Sequence, residues 1–140
     1  MAIKSVFILT LLFAGCSATD SVPCVAGLDS RPEIDQPIRQ LQEVLDASEQ
    51  QQPRNYTSSN LAFALDAKLY ILFHQYIETL DADARNEAIA EQSRWLDQRQ
   101  TDSSKAYSAY QGGTLASYAA NMAFIEATKQ RIAELESRMP

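Results

Sequence analysis

The chain has 140 residues, 12 basic and 18 acidic side chains and a net charge of −6, with two cysteines and one histidine. That length holds one domain rather than two. The acidic balance argues against a nucleic-acid partner, since neutralising phosphates takes clustered Lys and Arg.

Met1–Gly15 carries one charge, Lys4, followed by the apolar run Val6–Ala14. That run is too short to span a bilayer and fits the core of a signal peptide. Small Ala14 and Gly15 stand before Cys16, the pattern of a lipoprotein signal in which the cysteine becomes the acylated new N-terminus. An ordinary secretory signal with an incidental Cys16 is the blander reading. Ser17, where an Asp would signal inner-membrane retention, favours the outer membrane of a two-membrane cell, facing the periplasm. Losing Lys4 with the leader takes the net charge from −6 to −7. Cys24 then has no partner in the mature chain, and its role stays open. Residues 16–33, with Pro23, Gly27 and Pro32, read as a flexible tether ahead of a helical domain over 34–140.

From there no strand pattern occurs, and the expectation is all-α: an up-down antiparallel bundle of about four helices. A first helix over Asp35–Gln51 places Ile38, Leu41, Val44 and Leu45 on one face and ends at Pro53. A second begins near Ser58 or Ser59 and carries Leu61, Leu65, Leu69, Leu72, Tyr76 and Leu80 at steps of three and four. Asp81-Ala82-Asp83 starts a third, with Ala88, Gln92, Trp95 and Arg99 inward. Gly112-Gly113 breaks the chain, and Thr114 caps a fourth helix whose stripe is Leu115, Tyr118, Met122, Ile125, Ile132 and Leu135.

Folding the second and third helices together about Ala82 puts Asp66, sixteen residues before it, level with Arg99, seventeen after it. Leu69 and Trp95 are both thirteen away. At about 1.5 Å rise per residue these pairs meet, which predicts an Asp66–Arg99 ion pair beside a Leu69–Trp95 contact. The same operation about Gly112-Gly113 brings Ser103 level with Met122 and Ala123.

Four segments resemble the LprI-type lysozyme-inhibitor family from about Asp66 to Leu135. They are Asp66-Ala67-Lys68-Leu69, Gln92 to Arg99 around Trp95, Tyr110-Gln111-Gly112-Gly113-Thr114, and Thr128-Lys129-Gln130-Arg131 followed by Glu134-Leu135. The family usually has Asn at Tyr70, Tyr at Phe73, and cysteines at Ser103 and near Ala123; this chain departs from it at all four. The resemblance implies a small helical envelope protein that binds a basic muramidase non-covalently. An accessory or immunity lipoprotein binding another envelope protein is the alternative.

Trp95, Gln92 and Arg99 could form a recognition site, but their inward spacing favours a core role. His74 reads as a flank residue rather than a base. No His, Cys or carboxylate cluster has metal-ligand spacing, so neither metal nor cofactor is expected, and no nucleophile has a base in view. Nothing points to an enzyme. The candidate binding surface is Tyr107, Tyr110 and Gln111 ahead of the Gly-Gly turn with Tyr118 beyond it, unless these rings simply close the bundle.

Overall fold

A computed structural model describes residues 33–139 of the chain, and every regular element among them is helical. The leader, Cys16, Cys24 and the tether lie outside the described residues. The four helices are α1 (Asp35–Ala47), α2 (Gln51–Glu78), α3 (Ala82–Ser108) and α4 (Thr114–Arg138). Direction alternates along the chain, so α2 and α4 run parallel and α1 and α3 oppose them.

The short connections do not make every pair of successive helices close neighbours. The expectation was adjacent antiparallel packing of α2 on α3; instead α4 packs along both, and α2 and α3 touch at few places. Long side chains of α3, Trp95 and Arg99 above all, span the remaining gap. The core lies chiefly between α2 and α4: Leu61, Leu65, Leu69, Ile125, Ile132 and Leu135, with Leu45 brought in by α1. The α2 stripe is thus the one read from the sequence, with Leu72 and Tyr76 packed at its edge.

Three boundaries differ from the periodicity reading. Pro53 does not end α1 but sits in the first turn of α2, where a missing N–H leaves no intrahelical bond unmade. The break falls instead at Ser48-Glu49-Gln50, where Ser48 turns its hydroxyl back on the Val44 carbonyl (2.6 Å) and Gln50 takes an extended backbone. At the other turn, Gly113 rather than Thr114 is the cap of α4, with no side-chain bond. Asp81 does cap α3, accepting from the Ala84 N–H at 2.9 Å.

Two stripe residues are displaced. Val44 is 55% exposed, since it lies off the face formed by Ile38, Leu41 and Leu45. In the first turn of α4, Ala116 is fully buried and Leu115 is 41% exposed. The small residue faces inward because the backbone comes close there: Asn55 of α2 donates its side-chain amide to the Thr114 carbonyl at 2.8 Å.

Candidate functional site

Three of the four motif segments come together where α2, α3 and α4 meet; the fourth, Tyr110 to Thr114, forms the exposed α3–α4 turn. Arg99 on α3, 8% exposed, donates to the Asp66 carboxylate of α2 at 2.7 Å and to the Thr128 hydroxyl of α4 at 3.0 Å. Its guanidinium also lies 3.8 Å from the Phe124 ring centroid and 4.9 Å from that of Trp95. The predicted ion pair is present, and Leu69 and Trp95 pack in the same apolar cluster.

A second arginine approaches Trp95 from further along α4. Arg131, 3% exposed, donates to Gln92 Oε1 at 2.9 Å, Glu91 at 2.7 Å and Glu134 at 2.8 Å. Its guanidinium carbon stands 5.8 Å from the Trp95 ring. The indole therefore lies beside two cations, Arg99 paired with one carboxylate and Arg131 with two, in the joint between three helices. Arg138 adds bonds to both Glu91 and Glu134. Hydrogen bonds from Arg138 and then Arg131 hold the Glu91 carboxyl below its ordinary value of 4.5.

This network has every charge matched, with the two arginines buried and their carboxylates about half exposed. It positions helices; it has no place for a reacting atom. The inward reading of Gln92, Trp95 and Arg99 describes it, and Thr128 and Arg131 join it from α4. His74 is exposed and stacks on Tyr70 (ring centroids 4.3 Å) and edge-on to Phe73 (6.3 Å), with apolar rings rather than a carboxylate beside it. Among the described residues no group of three His, Cys, Asp or Glu side chains could hold a metal ion.

Two surfaces remain for recognition. The first is the α3–α4 turn. Tyr107 and Tyr110 are 44% and 48% exposed there, and Gln111 and Gly112 take positive φ values of 52° and 80°. Tyr118 does not join them: its hydroxyl accepts from Arg54 Nη2 at 2.8 Å, and that guanidinium covers its ring at 4.4 Å. A ring tied down by α2 belongs to the helix joint. The second surface is a groove of about 380 Å³ between α2 and α3, floored by Leu69 and Gln92 and walled by Tyr70, Phe73, His74, Ile89 and Leu96. The sequence reading passed over it because a stripe of leucines already accounted for the α2 core. The available signal was the surplus of apolar residues on the opposite face of the same helix.

The sequence from residue 33 to 135 matches the family described as "Lysozyme inhibitor LprI", which covers all four helices but for the end of α4. The chain belongs to the LprI family. Neither the curated proteins nor the solved structures gave a match. Ser103, where the resemblance implies a cysteine, donates its hydroxyl to the Ala120 carbonyl at 3.0 Å. A cavity of about 120 Å³ lined by Phe63, Ser103, Asn121 and Phe124 lies beside it. α3 and α4 are joined at that level by this hydroxyl bond and side-chain packing.

Proposed function

We propose that this LprI protein is an exported, lipid-anchored inhibitor that binds a lysozyme non-covalently and carries out no chemistry of its own. The observation that carries the reading is the family match over the helical domain, with Asp66, Arg99 and Thr128 bonded to one another and Gln92 to Arg131 around Trp95. A net charge of −6 suits a basic muramidase, drawing it in by long-range attraction that salt weakens.

The α3–α4 turn is the docking end under this reading. It is exposed, closed by the Gly113 N–H bonding back to the Tyr110 carbonyl (3.3 Å), and presents two tyrosines. A polysaccharide-cleaving enzyme offers a cleft, and a narrow aromatic turn enters a cleft at little entropic cost. Cys16 would supply the anchor, facing the periplasm from the outer membrane of a two-membrane cell.

Turnover of cell-wall substrate by a lysozyme is the test. Excess purified protein is expected to suppress it, less so as salt rises, and a joint Tyr107→Ala and Tyr110→Ala change to weaken inhibition about thirtyfold or more, as for a hot spot worth at least ~2 kcal/mol. Undiminished turnover at saturating protein would sink the reading. If a pull-down then returned another envelope protein, an accessory or immunity role would replace it. For the anchor, a labelled fatty acid is expected on the wild-type chain and not on Cys16→Ser.

A further inference from the structure

Along α2, on the side away from the leucine stripe, Tyr56, Phe63 and Tyr70 stand seven residues apart and are 72%, 71% and 66% exposed. Ile77 continues the series, and Asn60, Ala67 and His74 fill the same face one turn on from each ring. A repeat of seven keeps a row in line along a helix and is the spacing that a second helix reads. Apart from His74, none of these positions holds an acidic or basic side chain, in a chain of net charge −6.

We infer that this face is the interface of a homodimer, formed by α2 lying antiparallel on α2 of a second copy with the two-fold axis beside Ala67. The row is complementary to itself when reversed. Phe63 lies four residues before Ala67 and Tyr70 three after it, so each ring meets the other's counterpart across the axis. Asn60 and His74 are each seven residues away, which sets an amide opposite an imidazole. Tyr56 falls opposite Ile77. The residue at the crossing is alanine, the smallest in the row, where the backbones come closest. A two-fold interface requires this kind of self-complementary patch.

Charge points to the same occupant. Two copies repel at long range, and an uncharged row lets them meet without burying like charges there, Asp66 beside it being already paired with Arg99. A basic enzyme would instead be matched by carboxylates, which this row lacks. The area is adequate: the three exposed rings supply about 400 Å² at roughly 150–250 Å² per aromatic side chain. Ile77, Ala67, His74 and the half-exposed Ile89 and Leu96 of α3 add toward the ~800 Å² per partner of a standard interface. The Gly-Gly turns of the two copies then point to opposite ends, so the dimer leaves both available.

Sedimentation of the purified chain from residue 17 onward, without leader or lipid, over a dilution series tests this. A reversible monomer–dimer equilibrium with little salt dependence is expected. Phe63→Glu is expected to weaken it about a hundredfold, since each dimer loses two buried rings. Because Phe63 also lines a small cavity, Tyr70→Glu serves as the second variant, each checked for unchanged helix content. Ala67→Cys, in a Cys24→Ser background, is expected to give a covalent dimer with oxidised glutathione, and the exposed control Arg94→Cys is not. A monomer at every concentration, or a dimer indifferent to both glutamate variants, overturns the proposal. So does a monomer whose glutamate variants lose lysozyme binding, which would give the face to the enzyme. The sedimentation and cross-linking readouts do not depend on whether lysozyme is inhibited.

Discussion

The Asp66–Arg99 pair shows how one buried cation is managed. Arg99 has given up most of its water and receives in return one carboxylate, one hydroxyl and two aromatic faces. Replacing Arg99 by Ala is expected to cost about 3 kcal/mol or more in urea unfolding, through lost packing on Trp95 and Phe124 as well as lost charge. Asp66→Ala is expected to cost less, about 1–2 kcal/mol, because its carboxylate is 47% exposed and water partly replaces it. Arg99→Lys is not expected to rescue stability, since an ammonium cannot lie flat against two rings. At the turn, Gly112→Ala forces a side chain to φ 80° and is expected to lower stability by about 1 kcal/mol, whereas Gly113→Ala, at φ −69°, is expected to be nearly neutral. Unfolding of the two alanine variants side by side checks this.

On the element scale, α4 is the helix on which the fold depends, since it packs on both α2 and α3. Leu135 is fully buried and Ile125 1% exposed, facing α2, while Thr128 and Arg131 turn toward α3. Leu135→Ala is expected to cost about 2–5 kcal/mol, a cavity in a joint where no neighbouring loop can collapse. α3 is tied to α4 largely through polar bonds, and this makes its docking sensitive to acid. Glu91 has a folded pKa below its ordinary value, so its contribution is complete above about pH 4.5 and is lost as pH falls through the lower folded value. Replacing Glu91 by Gln is expected to flatten that acid limb of a stability–pH curve. The Lys68 amine behaves in the opposite sense. Burial lowers its pKa, but bonds to Asp35 (2.9 Å) and Glu136 (3.1 Å) outweigh that and raise it above 10.5. The tie it makes between α1, α2 and α4 is present below that value and lost only in strong base.

For the whole molecule, the same helices keep framework and recognition apart. Matched charges are collected at the three-helix joint, and apolar surplus is left on the outer face of α2 and at the α3–α4 turn. A structural role for the motif residues and a recognition role for the tyrosines then separate in experiment. Arg131→Ala is expected to lower inhibition only as far as it unfolds the protein, while the tyrosine variants lower it in a fully folded one. Thermal unfolding and lysozyme turnover on the same samples distinguish the two.

The sequence determined the helical class, the leucine stripe of α2, the start of α3 and the Asp66–Arg99 pairing. These follow from period, caps and equal counting from a turn, all of them local or nearly so. Where it misled, the deciding contact was distant or gave no strong local signal. Pro53 reads as a breaker until it is seen in a first turn, and the true break at Ser48 uses a side chain that makes no strong local signal. Tyr118 looks like surface until Arg54, 64 positions earlier, closes over it. That α4 rather than α3 packs along α2 depends on how three helices share one core, which periodicity along any single helix does not contain. The outer row of α2 was legible as residues seven apart. Only the tertiary structure showed that no helix among the described residues covers it, because burial depends on the whole assembly of helices and not on the pattern of one.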